Sequence, residues 1–134
     1  MGLTLAQKII ARASHRKRVE VGEIVEVDVD FAMMQDSGGP RRIGATMEKL
    51  GVQIWDPDKV TIISDHFVAA SDTTEASILK YTREWAKKYR VTKYHEREGI
   101  CHIVPVEKGY IRPGMLYVGG DSHSTTAGAL GCFA

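Results

Sequence analysis

Cysteine is scarce in this 134-residue chain: Cys101 and Cys132 are the only two. They form no CxxC pair and no disulfide framework, so a reducing compartment, the cytoplasm, is the expectation. Nor do two isolated thiols complete an iron–sulfur site, which wants several thiolates; each reads as a small buried hydrophobe. An excess of one charge is also missing. Eighteen Lys and Arg against 17 Asp and Glu leave a net charge of +1, which offers nucleic acid or an anionic membrane surface little to hold. The basic run His15-Arg16-Lys17-Arg18 is short and reads as a solvated helix end. No apolar signal core opens the chain, and no apolar run is long enough to cross a bilayer. Repeats, linkers and low-complexity stretches are absent as well. What remains is 43% hydrophobic residues, enough for one core and one domain over residues 1–134.

The local patterns alternate between strand and helix. Thr4 caps a short amphipathic helix carrying Leu5, Ile9, Ile10 and small alanines. Glu23 to Asp30 alternates acids with β-branched residues, which predicts a strand with one buried face, continuing towards Asp36. Ser37-Gly38-Gly39-Pro40 is a loop by composition, and 43–50 a helix closed by Gly51. After the Asp56-Pro57-Asp58 turn, 59–64 is a nearly continuous apolar strand, as buried parallel strands are. Caps at 71–74 open a helix from about 75 to 89, with Ile78, Leu79, Thr82, Trp85 and Ala86 as its core stripe. A short strand is expected near 91–94, a brief strand or loop over 99–105, a turn over 108–114 and a strand over 115–118. Then come Gly119 and Gly120, an acid–hydroxyl–imidazole turn, and a small-residue helix start that Ser122, Ser124, Thr125 or Thr126 could cap. Together these predict an α/β fold: three layers, a mostly parallel sheet flanked by helices.

Chemistry gathers at the predicted strand ends. His66 follows Asp65, His102 follows Gly99-Ile100-Cys101, and His123 stands two residues after Asp121, with Ser122 between. Gln35 and Asp36 supply a fourth polar edge. The carboxyl ends of parallel strands share one rim, so these groups can line a single cleft despite their separation in sequence. Imidazoles oriented by carboxylates suit proton transfer to an oxygen leaving group, and equally a divalent metal. His15 and His95, in charged surroundings, are expected at the solvated surface.

The series Leu3-Thr4-Leu5-Ala6-Gln7-Lys8-Ile9, Asp65-His66-Phe67-Val68, Gly99-Ile100-Cys101-His102, Glu107-Lys108-Gly109, Arg112-Pro113-Gly114 and Gly120-Asp121-Ser122-His123-Ser124 resembles the aconitase superfamily. Within it, the likeness is to the branch of isopropylmalate dehydratase large subunits. The resemblance covers nearly the whole chain and implies an aconitase-like amino-terminal portion. It implies a hydro-lyase that dehydrates a hydroxy di- or tricarboxylic acid and rehydrates it at the neighbouring carbon, with a 4Fe-4S cluster as Lewis acid. Asp65 and His66 would then help protonate the departing hydroxyl. His102, Asp121 and His123 would surround the substrate and water, with Gln35 and Ser122 contacting substrate or cluster environment. The family's three cluster cysteines, its serine base and its carboxylate-gripping arginines are not in this sequence. The resemblance therefore implies an amino-terminal piece, inactive alone, that works with the remainder of a large subunit and a small swivelling-domain subunit. Two other readings stay open: a hydrolase using His66, His102, His123 and the aspartates on zinc or manganese, and a non-catalytic module.

Overall fold

The structure, a computed structural model, describes residues 2–134. Thr4 opens helix α1 (Leu5–Ala13) with a reciprocal cap: its hydroxyl accepts from the Gln7 amide at 3.2 Å, while the Gln7 side chain accepts from the Thr4 amide at 2.9 Å. Strand β1 (Phe31–Gln35) leads into helix α2 (Pro40–Leu50), which starts with proline at its first turn and ends at Gly51 in the left-handed region, φ 65°. Strand β2 (Val60–Ser64) is buried along its whole length, as a parallel strand covered on both faces must be. Helix α3 (Thr73–Lys88) is capped by Asp72, whose carboxylate accepts from the Glu75 amide at 2.8 Å. Strand β3 (Lys93–Glu96), the short helix α4 (Val104–Glu107) and strand β4 (Tyr117–Gly119) complete the regular elements, before a terminal 3-10 segment, Ser124–Leu130.

All four strands are parallel, in the order β3-β2-β1-β4. Alternate side chains of β1 and β2 feed two cores. Val60 and Ile62 pack with Trp85, Ala86 and Tyr89 of the α3 side, joined by Met47 of α2. Phe31, Met33 and Ile63 pack with Cys101, Val104, Tyr117, Ala127 and Cys132 on the opposite face. The molecule thus has three layers: α2 and α3, the sheet, then α4 with the 3-10 segment. Trp85 stacks against Tyr89 at 4.3 Å between centroids and is 2% exposed, so its stripe is core. Residues of that size stabilise by roughly 1.5–3 kcal/mol each when fully buried.

Three expectations need correction, and one open choice is decided. The alternating segment 23–30 joins no sheet among the described residues. Its valines at 25, 27 and 29 are half-buried, as the alternation requires, but Val27 and Val29 pack on α1 and Leu116, and the Asp28 amide bonds to the Ala13 carbonyl at 2.8 Å. Period two identifies an extended segment with one covered face; it does not supply a neighbouring strand. Of the strand or loop expected over 99–105, the loop is what forms, turning into α4 at Val104. The final segment winds as a 3-10 helix, with His123 at its N-cap and no side-chain cap. His95 is buried at 8% exposure, its ring held between Glu98 at 3.0 Å and the Tyr110 hydroxyl at 3.1 Å. Charged sequence neighbours misplace it because they are its partners.

Candidate functional site

The chain leaves β1 towards the α2 layer and leaves β4 towards the opposite layer. Adjacent strands whose continuations diverge leave a crevice at their carboxyl ends, where open α/β sheets hold ligands. At that crevice the Gly120 amide donates to the Met33 carbonyl at 3.0 Å, extending the β1–β4 contact by one residue. A Cβ on Gly119 would stand 1.9 Å from the Ser124 hydroxyl oxygen, so only glycine admits the buried Ser124. That hydroxyl donates back to the Asp121 carbonyl at 2.8 Å and fixes the turn. Gly120 faces no such crowding, and neither glycine has a positive φ.

Asp36, directly after β1, is fully buried. Its two carboxylate oxygens accept one backbone amide each from the neighbouring loop, His66 at 3.2 Å and Phe67 at 3.1 Å. The His66 ring then meets Asp65 through Nδ1 at 2.7 Å, and the other Asp65 oxygen accepts from the Cys101 amide at 2.7 Å. So Asp65 ties the end of β2 to the loop that carries His102. His66 Nε2 points the other way, 3.9 Å from Asp121 Oδ2.

Asp121 is the meeting point. Its Oδ1 lies 2.8 Å from His102 Nε2 and 3.2 Å from His123 Nδ1, and accepts the His123 amide at 2.8 Å. These donors, the His123 amide foremost, hold the carboxyl down at about 2, against the partial burial that raises it. The Ser122 hydroxyl is 3.2 Å from His123 Nδ1, and the His102 and His123 rings are tilted at 58° with centroids 5.9 Å apart. The structure therefore brings Asp65, His66, His102, Asp121, Ser122 and His123 to one edge. It places Gln35 differently. That side chain is 3% exposed, accepting from the Gly38 amide at 2.6 Å and donating to the Gly120 carbonyl at 3.5 Å, so it clasps the two glycine turns.

The edge is open: side-chain exposure is 38% at His66 and 79% at His123. A cavity of about 580 Å³ opens at the opposite, amino end of the sheet, beside Arg12, Lys93, Tyr110 and Arg112; none of the predicted site residues lines it. Sequence reading grouped Asp36 with Gln35 as a polar edge but gave it no role of its own. The available signal was an acid directly after an apolar strand, where a carboxylate can accept the amides of a neighbouring loop. It also missed the chain Ser64–Tyr94–Glu96–Arg83 at the ends of β2 and β3. There burial pushes the Tyr94 hydroxyl up to about 12, and Tyr94 donates to Glu96 at 2.7 Å.

The residues of this chain do not fit a 4Fe-4S cluster. Cys101 is 1% exposed and Cys132 7%. Burial pushes both thiols up, Cys101 the further because Asp65 stands beside it, whereas a cluster ligand must be a thiolate. Cys132 donates instead to the Arg112 carbonyl at 3.2 Å.

Comparison with known proteins agrees with this architecture. The model of the aconitase family (aconitate hydratase) matches residues 7–134. A probable 3-isopropylmalate dehydratase large subunit of Methanothermobacter thermautotrophicus is 42% identical over the whole of this chain and 32% of its own length. The 3-isopropylmalate dehydratase large subunit 1 of Methanopyrus kandleri is 43% identical, again over 100% of this chain and 32% of its own length. The large subunit of Aquifex aeolicus is 40% identical, with 31% of it covered. The chain thus spans about a third of the length of the curated relatives it matches. A parallel sheet with a polar carboxyl edge, a family model matched from residue 7 to residue 134 and relatives of one kind converge: this chain belongs to the aconitase family.

Proposed function

We propose that the chain supplies the proton-handling lip of a hydro-lyase that isomerises a hydroxy di- or tricarboxylic acid, 3-isopropylmalate to 2-isopropylmalate being the best match to its relatives. The observation that carries this is the convergence of His66 and His123, each just past a strand end, and His102, on a turn, upon Asp121. Loss of hydroxide is slow until a proton reaches the departing oxygen, and a positioned imidazole contributes roughly 10²–10⁴-fold. Asp65 holds Nδ1 of His66, which leaves Nε2 as the atom that delivers this proton to form water. On rehydration the same atom takes a proton back from water. Asp121 fixes His102 and His123 on either side of the departing water, Ser122 supports His123, and Gln35 keeps the two glycine turns in register. The proton on the neighbouring carbon has no base among these groups. In this reading the base, the groups gripping the substrate carboxylates and the thiolates of a 4Fe-4S cluster belong to other polypeptide: the rest of a large subunit and a small swivelling subunit, in the cytoplasm. No helix among the described residues is long and apolar enough to cross a membrane.

The test is an exchange: these 134 residues replace the matching third of the Methanothermobacter large subunit, and isomerisation is assayed with its small subunit. The chimera is expected to turn over. His66→Ala within it should lower kcat by about 10²-fold or more with KM little changed. Turnover unaffected by that substitution removes His66 from the reaction.

A further inference from the structure

We propose that the cavity at the amino end of the sheet binds one small organic anion, a carboxylate or phosphate group carried on a flat apolar body. None of the residues that line it serves the hydro-lyase reading, so the two stand or fall separately. The cavity encloses about 580 Å³, within the usual range of small-molecule sites. Phe31 and Tyr110 supply its aromatic surface, with ring centroids 5.5 Å apart. The Tyr110 ring is held in place through its hydroxyl, 3.1 Å from His95 Nε2. Three cations, Arg12, Lys93 and Arg112, line the cavity against one carboxylate, Asp30.

That carboxylate is already engaged. The Arg12 guanidinium grips both of its oxygens, and one of them also accepts the Leu116 amide at 2.7 Å. Partial burial raises the Asp30 carboxyl, but these donors outweigh it and hold the group below its ordinary value, so it stays charged and balances Arg12. Arg12 also donates to the Gly114 carbonyl at 3.1 Å, which fixes the direction of its remaining N–H groups. Lys93 Nζ donates to the Asp58 carbonyl at 2.7 Å and lies 3.3 Å from its carboxylate. Asp58 is exposed, so water screens that pair. Arg112 carries the excess. Its carbonyl accepts the Met115 amide and the Cys132 thiol, each at 3.2 Å, so its backbone is fixed. Among the described residues no carboxylate lies within 4.0 Å of its guanidinium; the ion pairs at this end are Arg12–Asp30 and Lys93–Asp58. An unpaired guanidinium on a fixed backbone, beside aromatic surface, suits an anion that is gripped by two oxygens and carries an apolar body. Strand β1 spans five residues, about 16 Å, between this cavity and Asp36. A ligand here therefore leaves the groups of the carboxyl edge free.

Phenyl phosphate, benzoate, inorganic phosphate and, as the uncharged control, benzamide are each titrated into the purified 134-residue chain by calorimetry. Phenyl phosphate or benzoate should bind at one per chain with a Kd of about 1 mM or tighter, and the tighter of the two identifies the headgroup. Inorganic phosphate should bind at least about fivefold more weakly, for want of the aromatic contact, and benzamide should give no measurable binding. Arg112→Gln should weaken the organic anion at least about fivefold; it breaks no ion pair among the described residues, and circular dichroism checks that the fold is intact. Lys93→Gln should also weaken it, and if that variant does not fold, Arg112→Gln decides alone. Arg41→Gln, at an exposed cation of α2 in the opposite layer, should leave affinity unchanged. No saturable binding of either organic anion, inorganic phosphate or benzamide binding as tightly, unchanged affinity in Arg112→Gln, or equal weakening by Arg41→Gln each overturns the proposal.

Discussion

Replacing Asp36 by asparagine tests whether the candidate edge is held together from beneath. The carboxylate is 0% exposed, and each oxygen accepts one backbone amide, from His66 at 3.2 Å and from Phe67 at 3.1 Å. Asparagine has the same shape but only one acceptor oxygen, so its NH2 must face one of the two N–H groups, donor against donor. Each bond to a charged acceptor contributes roughly 1.5–3 kcal/mol, and a buried donor left without a partner costs about 1–3 kcal/mol. The two loop amides are only partly buried, and water can meet part of the deficit. A loss of about 3 kcal/mol is therefore expected, which for a chain of this length lowers Tm by roughly 10 °C. Urea unfolding followed by Trp85 fluorescence measures it, since Trp85 is 2% exposed and reports the core. Asp58→Asn is the control: its side chain is 84% exposed in a pair with Lys93, and such pairs contribute about 0–1 kcal/mol. Were Asp36→Asn to unfold within about 0.5 kcal/mol of the parent, the carboxylate would not be what anchors the His66 loop.

Gly119→Ala should destabilise by about 1–3 kcal/mol, because the new methyl would lie 1.9 Å from Ser124 Oγ and 2.6 Å from its Cβ. Gly120→Ala, with its nearest atom at 3.8 Å, should be near neutral, and equal urea midpoints for the two variants would remove the close-approach argument. Asp121 makes stability depend on acid. Its folded pKa of about 2 lies below the ordinary 3.8, so its contribution is complete above the ordinary value and lost as pH falls towards 2. The shift corresponds to at most about 2 kcal/mol, and solvent screening at this open rim reduces that to about 1 kcal/mol. Urea midpoints between about pH 5 and pH 2.5 should therefore fall less in Asp121→Asn than in the parent, and identical slopes would contradict the hydrogen-bond account of Asp121.

Much of the fold was legible because its signals are local. Thr4, Asp72 and Gly51 mark helix ends through bonds made within a few residues, and the apolar run 60–64 needs no partner to read as a covered strand. Segment 23–30 was misread for the opposite reason. Whether an extended chain acquires a ladder depends on what lies beside it, and here α1 and Leu116 do. The buried ring of His95 was hidden because its burial comes from Tyr110, fifteen residues further on. At the candidate edge, residue types could be read from the sequence, while pairings could not. His123 sits two residues from Asp121, but His102 reaches the same carboxylate across nineteen positions. Asp36 was read as part of a polar edge but not as an anchor, because its partners are backbone amides thirty residues away, which no side-chain pattern announces.

That the groups meet at all follows from topology. Each parallel strand delivers its chain to the same side of the sheet, so Asp36, Asp65, His66 and Asp121 arrive at one edge even though 85 positions separate the first from the last. His102 lies on a turn outside the strands, and Asp65 ties that turn to the edge by accepting the Cys101 amide. The carboxylates therefore have two duties. Asp36 accepts backbone amides alone and sets a loop position, whereas Asp65 and Asp121 each accept a backbone amide and at least one imidazole. At Asp65 and Asp121 a change of protonation would therefore also bear on the loop amides they hold. Asp36, buried and without an imidazole hydrogen bond, is the anchor that such a change leaves untouched.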